Sequence, residues 1–272
     1  MAEGTANNQS ERPNPQRNYC KVEDMGRLRI VTLNRPEVMN ALHSDASHEL
    51  AVVWDEFAAR GDLWVGIVTG AGERAFSAGN DLKVQAASKR GPRPHSGFGG
   101  LAYRFDLAKP VIAAVNGVAM GGGFEMALAC DLIVASENAV FALPEPRVGL
   151  IAGGGGVHRL PRMIPCKQAL GMILTGRRVT AREGLELGFV NEVVPVGEAL
   201  AAAKRWAQMI LECSPMAVRA SKEAVYRGLD EPCLEKAVRT VYPAQQANLD
   251  SQDYIEGPKA FAEKRKPNWQ NK

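Results

Sequence analysis

Apolar positions along the chain follow two alternating spacings. Residues 28–33, 65–69 and 111–115 are short runs in which most positions are apolar and many β-branched, the mark of buried strands. Between the first two, Leu50, Val53, Trp54 and Phe57 recur at i, i+3, i+4 and i+7, which predicts an amphipathic helix with Ser44 or Asp45 as its N-cap. Asn34-Arg35-Pro36 stops the first strand, and the order strand, helix, strand predicts parallel pairing through a crossover. The alternation continues past Ile133 and Val193 without a repeat of fixed period. The last third is predicted mostly helical, over 168–174, 181–187 with Gly188 as C-cap, 199–211, 215–226 and 233–248. A change of character at Ser214-Pro215 separates a β/α core, 19–214, from a helical appendage, 215–272.

The run opened by Pro110 breaks at Gly121, Gly122 and Gly123 and resumes over 124–130 with good helix formers, so it reads as strand, tight loop, buried helix. Glycines there let backbone approach a ligand, and at a helix N-terminus their N–H groups point outward with the positive end of the dipole behind them. Glu125 follows in the first turn. The run is neither a dinucleotide fingerprint, lacking the third spaced glycine, nor a Walker A loop, lacking Gly-Lys-Ser/Thr. A glutamate beside a glycine loop, standing alone, reads as a helix cap in a tight turn. A second acid changes that reading: Phe141-Ala-Leu-Pro-Glu145 ends an apolar segment, and Gly153-Gly-Gly-Gly156 follows.

Met120-Gly-Gly-Gly-Phe-Glu125, Phe141-Ala-Leu-Pro-Glu145, Ala75-Phe-Ser-Ala-Gly-Asn-Asp81 and Val111-Ile-Ala-Ala-Val-Asn-Gly117 resemble the signature segments of the crotonase superfamily, the enoyl-CoA hydratases and isomerases. The likeness runs from about Val22 to the C-terminus. Within the superfamily it is nearest to enoyl-CoA hydratase and carnitinyl-CoA dehydratase-type members, through Phe76-Ser-Ala-Gly-Asn-Asp-Leu-Lys83 and Ile255-Glu-Gly-Pro-Lys-Ala-Phe-Ala-Glu-Lys-Arg265. The resemblance implies an α/β fold, a superhelical stack of ββα turns, with a C-terminal helical appendage that covers active sites and joins subunits. Four positions depart from the usual pattern. Ala152 replaces a Pro, Val157-His158 replace a Thr-Gln pair, and Asn80 stands where carnitinyl-type members carry a large aromatic.

Adding water to a double bond conjugated with a thioester builds negative charge on the carbonyl oxygen, and each preorganised donor there is worth about a hundred- to a thousand-fold in rate. The resemblance implies that these donors are the backbone N–H groups of Asn80 and Gly122. Any residue but proline supplies such an N–H. It further implies Glu145 as proton donor to the α-carbon and Glu125 as the group that holds and activates water, with pKa values driven apart by burial and repulsion. Gly153 would offer an N–H near that water. Asp81, Leu82, Lys83 and Lys264 occupy positions that contact coenzyme A in the family, Lys264 being brought in from a neighbouring subunit. Lysine suits a phosphate as a point charge.

The expected activity is therefore reversible hydration of a 2-enoyl-CoA, or dehydration of a 3-hydroxyacyl-CoA, with coenzyme A as part of the substrate and no separate cofactor or metal. The alternatives are an enoyl-CoA isomerase, in which one carboxylate shuttles the proton, and a non-catalytic acyl-CoA- or RNA-binding homologue. The pair of glutamates argues against both. The expected assembly is a homo-oligomer, a trimer or dimer of trimers.

Composition narrows the remaining classes. At 272 residues and 46% hydrophobic the chain can bury a full core, yet no apolar run approaches the roughly 20 residues that span a bilayer. Residues 1–18 are polar without an apolar h-region and read as a disordered tail. Five cysteines, odd in number and without C-x-x-C spacing, predict a reducing compartment, the cytoplasm, and no structural zinc. A net charge of +3 is too small to suggest nucleic acid as a partner. Residues 85–100, rich in Lys, Arg, Ser, Pro and Gly, read as a mobile loop. His43 and His48, five apart, miss the spacing of a helical metal pair and read as surface or helix-start residues; His158 is the histidine near the second glycine run.

Overall fold

A computed structural model describes residues 17–87 and 91–272. The expected tail lies, as far as residue 16, outside the described residues. Arg17 pairs with Glu56 at 2.8 Å, and the Asn18 N–H donates to Glu49. Residues 88–90 of the expected mobile loop also fall outside the description.

The first strand is one that the apolar pattern does not announce. β1 (Cys20–Met25) buries Cys20 alone and pairs antiparallel with β2 (Leu28–Leu33) along its whole length. As a sheet edge with charged side chains it has no apolar alternation to read. The stripe Leu50, Val53, Trp54 and Phe57 is buried in α1 (Ser44–Ala59), which carries the chain to β3 (Val65–Gly70), parallel to β2. The cap of α1 is His43 rather than Ser44 or Asp45: its Nδ1 accepts the Ala46 N–H at 3.1 Å, as a cap oxygen one residue later would have done.

From β3 onward the chain repeats one path. β3 turns into the short β4 (Ala75–Ser77) and then α2 (Leu82–Ala87); β5 (Val111–Val115) turns into β6 (Val118–Met120) and α3 (Gly122–Ala129). β7 (Leu132–Ser136) turns into β8 (Val140–Ala142), a 3-10 turn over Glu145–Val148, and α4 (Gly156–Met163). The chain goes on through α5 (Cys166–Thr175), β9 (Val179–Thr180), α6 (Ala181–Leu187) and β10 (Glu192–Val194), with Gly188 in the left-handed conformation closing α6 as expected. Leading strands stack as one sheet, β1-β2-β3-β5-β7-β10, and trailing strands as a second, β4-β6-β8-β9. This is the superhelical stack of strand, strand and helix that the resemblance implies.

The large sheet is covered on both faces, which is why β3 and β5 are buried at every position. Val31, Leu33, Val68 and Val115 pack toward Trp54 and Phe57 of α1. On the other face α7 (Ala199–Leu211) lays Ala199, Ala202, Ala203 and Ala207 against Ile67, Ile112, Ala114 and Val134. Beyond it come α8 (Pro215–Asp230), α9 (Leu234–Arg239), α10 (Pro243–Leu249) and α11 (Gln252–Ala262). The one helix expected over 233–248 is two, because Pro243 forces Tyr242 into the extended region, φ −79° and ψ 157°. α8 is fixed to the core by Lys222, whose Nζ meets Asp131 at 2.8 Å and donates to the Lys109 carbonyl at 2.9 Å, and by the Tyr226 hydroxyl donating to Asp131 at 3.1 Å.

The corner between β3 and β4 is held by Asn40, which is buried with φ +53°. Its Nδ2 donates to the Ala71 and Ala75 carbonyls at 3.0 and 2.8 Å, its Oδ1 accepts the Arg35 N–H at 3.0 Å, and its carbonyl accepts the Ser77 hydroxyl at 2.8 Å. Asn40→Ala strands those backbone groups and places a methyl in a left-handed conformation, so it should lower stability by about 3 kcal/mol or more. Thermal unfolding checks this: we expect Tm to fall by about 5 °C or more, and an unchanged Tm would show that the corner does not depend on this side chain.

Candidate active site

Gly121 joins β6 to α3 with φ +52° and ψ −124°, a conformation L side chains rarely adopt, and a Cβ there would lie 2.7 Å from Glu145 Oε1. Residues 78–80 run past the same point. The Leu42 N–H donates to the Gly79 carbonyl at 2.8 Å and the Asp81 N–H to the Leu42 carbonyl at 3.0 Å, a single parallel rung that leaves the intervening Asn80 N–H turned away from Leu42. A Cβ on Gly79 would lie 2.5 Å from the Met120 carbonyl oxygen and 2.9 Å from the Gly122 nitrogen. The absence of a side chain at Gly79 thus brings Asn80 up to the N-terminus of α3. Neither the Asn80 nor the Gly122 N–H has a partner among the described residues. The ring of Phe98 packs against Gly122, where a Cβ would stand 2.7 Å from it.

Glu125, 4% exposed, lies in the first turn of α3. Its Oε1 accepts the N–H of Gly156 at 2.9 Å, and the Gly154 N–H also donates to the carboxylate. Burial raises its pKa, and the two glycine N–H groups and the charges of Arg93 and Arg159 oppose that rise without cancelling it. A Cβ on Gly154 would lie 2.5 Å from Glu125 Oε2. Glu145 begins the 3-10 turn after β8. Burial pushes its pKa up to about 7, opposed by its own backbone N–H and reinforced by the negative charge of Glu125. Its Oε2 is buried and has no hydrogen-bond partner among the described residues.

Of the residues named from the sequence, Asn80, Gly122, Glu125 and Glu145 come together. Gly153 adjoins them, but its N–H donates to the Ile151 carbonyl at 2.7 Å, so the donors turned on Glu125 are those of Gly154 and Gly156. Asp81 is buried against Arg35 at 3.1 Å and caps α2 by accepting the Val84 N–H at 3.3 Å. Leu82 and Lys83 are exposed on α2, while Lys264 is exposed past the end of α11 in the appendage. His48 and His158 are exposed as well. The Asn80 side chain donates to Gln85.

Beside Asn80, between the start of α1 and α2, opens a cavity of about 530 Å³ lined in part by His43, Asp45, His48, Gln85, Arg93 and Phe98. Among the described residues no group of three or more His, Cys, Asp or Glu could hold a metal ion, and no helix is long and apolar enough to cross a membrane. Sequence reasoning missed the donors Gly154 and Gly156 and the packing of Phe98. The four-glycine run was the available signal for the first two; placing the start of α4 at Gly156 would have turned its free N–H groups toward an acid.

The family model for enoyl-CoA hydratase/isomerase matches residues 24–272. The chain is 44% identical over 259 residues to a carnitinyl-CoA dehydratase of Salmonella typhi, covering 91% of this chain and 96% of that one, and 45% identical over 256 residues to one from Escherichia coli, with the same coverage. Among solved structures it is similar to an enoyl-CoA hydratase from Mycobacterium tuberculosis H37Rv, with a TM-score of 0.88 and 38% identity over 93% of this chain and 99% of that one. A carnitinyl-CoA hydratase from Mycobacterium avium matches with a TM-score of 0.74 and 40% identity over 94% and 100%. With its glycine-lined pair of carboxylates and a family match over nearly its whole length, the chain belongs to the enoyl-CoA hydratase/isomerase family.

Proposed function

We propose that this protein adds water across the double bond of a 2-enoyl-CoA and, in reverse, removes it from a 3-hydroxyacyl-CoA. The observation that carries the reading is the pair of neighbouring carboxylates, both raised in pKa by burial and unequally served by hydrogen bonds, beside two open backbone N–H groups. The thioester oxygen lies between the N–H groups of Asn80 and Gly122, where the dipole of α3 favours the negative charge that develops. Glu125, held by glycine N–H groups, takes a proton from water as its oxygen bonds to the β-carbon. Glu145, whose raised pKa keeps a protonated fraction near neutral pH, gives its proton to the α-carbon. In this reading Lys83, exposed on α2 just past Asn80, meets the phosphates of coenzyme A, and the exposed Lys264 does so from a neighbouring subunit of a trimer or hexamer. The wall beside Asn80 carries His43, Asp45, His48, Gln85 and Arg93, which suits an acyl group that ends in a polar head.

Crotonyl-CoA and carnitinyl-CoA are the substrates to assay. Glu125→Gln and Glu145→Gln should each lower kcat by about a hundred-fold or more with KM little changed. A variant that keeps native rates removes its glutamate from the mechanism, and survival of Glu125→Gln alone would favour the isomerase reading.

One proton shared between the two glutamates serves both directions: hydration starts with it on Glu145 and dehydration with it on Glu125. No net proton enters the reaction, so kcat/KM should fall in parallel for hydration and dehydration as pH rises through about 7, where Glu145 loses its proton. Activity flat from about pH 6 to about pH 9, a span that brackets the titration, would contradict this.

The same titration affects stability. A native pKa near 7, above the ordinary 4.5, means that the folded state binds more protons between those values, so stability falls as pH rises through that window. Glu145→Gln removes the ionisation and should stabilise the fold by about 1–3 kcal/mol at pH 8, with little effect near pH 4. Denaturant unfolding at the two pH values tests it; equal stability of variant and native protein at both would show that Glu145 ionises without strain.

A further inference from the structure

Arg159, in the first turn of α4, reaches two separate stretches of backbone. Its Nη2 donates to the Ala102 carbonyl at 2.8 Å and its Nη1 to the Gly154 carbonyl at 3.4 Å, while the guanidinium lies 5.1 Å from the centroid of the Phe105 ring. Next to it the Tyr103 hydroxyl donates to the Gly153 carbonyl at 2.8 Å. Residues 101–105 and the glycine run 153–156 are therefore tied by three side-chain hydrogen bonds. The other side of the same run presents the N–H groups of Gly154 and Gly156 to Glu125. Four successive glycines have little stiffness of their own, so the placement of these donors has to come from outside the run. Residues 101–105 are in turn continuous with Phe98, whose ring covers Gly122.

We infer that Arg159 is a positioning residue for Glu125: its fork clamps the glycine run against residues 101–105 and so aims the Gly154 and Gly156 N–H groups at the carboxylate. This rests on the proposed role of Glu125 in handling water. Besides the clamp, the Arg159 charge acts on Glu125 directly, lowering its pKa against the rise from burial. The other charges that reach Glu125 are Glu145 from the 3-10 turn and Arg93 from the segment before Phe98. β4, β6 and residues 98–100, which also pack on α3, carry no titratable group, and His158 and Arg162 on α4 are exposed. A guanidinium in this place is itself penalised by burial, and Glu125 is the one carboxylate among the groups whose charge offsets that penalty.

Arg159→Met and Arg159→Lys test the inference, with the Glu125 carboxyl followed by carbon-13 NMR of glutamate-labelled protein alongside kinetics on crotonyl-CoA. In Arg159→Met we expect Glu125 to titrate at higher pH than in the native protein and kcat to fall about ten- to a hundred-fold with KM within about two-fold. Arg159→Lys keeps the charge but cannot bridge both carbonyls, so it should restore the titration midpoint more fully than it restores kcat. An unmoved Glu125 midpoint in folded Arg159→Met overturns the inference. Native kcat in Arg159→Lys overturns it too, and that variant decides alone if Arg159→Met does not fold. The NMR titration needs no turnover, so its failure is separable from failure of the hydratase reading, which Glu125→Gln tests.

Discussion

A carboxylate taken out of water must be met by donors or give up its charge, and around Glu125 and Glu145 the space for meeting it is made by glycine. A methyl group at Gly121 would press on Glu145, and one at Gly154 would press on Glu125. Backbone can therefore come to the acids where side chains could not. The same economy of bulk at Gly79 brings the Asn80 strand against Met120 and Gly122. The Asn80 and Gly122 N–H groups and the two carboxylates end up around one point because the chain has no side chains in the places where its segments cross.

The stacked turns explain how segments so far apart in sequence reach that point. Each turn leaves the large sheet, adds a short strand to the small sheet, and arrives on the same side with its next segment: Asn80 after β4, Gly122 after β6, Glu145 after β8. Parallel register puts the ends of β6 and β8 level, Met120 beside Ala142, while β4, irregular between Ala75 and Ser77, ends one residue back with Ser77 beside Ala119. A displacement of one turn against the next would separate the donors from the acids, which is why corner latches such as Asn40 matter to chemistry as well as to stability.

Much of the fold was legible because its longer elements carry clean patterns. β2, β3 and β5 are apolar runs, and α7 has the bounds its composition predicts. β4, β6 and β8 are three residues each, too short for a period of two to register, and they are the strands that place the site. β1 was silent because it is a charged edge. The break between α9 and α10 is written in Pro243, which keeps the residue before it out of the helical region against the apolar pattern of 233–248. In the site, Glu125 and Glu145 were recognisable from flanking glycines and family likeness, whereas the bonds that tune them join residues 31 and 50 positions apart, Gly156 to Glu125 and Tyr103 to Gly153. Local pattern holds no information about such pairs.

The two acids are also made unequal by the same backbone. Glu125 has two N–H donors and two arginine charges in reach, while the Oε2 of Glu145 is buried with no donor among the described residues. A buried oxygen left without a partner costs about 1–3 kcal/mol, and protonation relieves part of that by removing the charge. Glu145 is thereby biased toward holding a proton more strongly than its neighbour, from residues of identical chemistry. For an addition that needs one acid and one base at opposite ends of a double bond, that bias is what the unequal distribution of glycine N–H groups supplies.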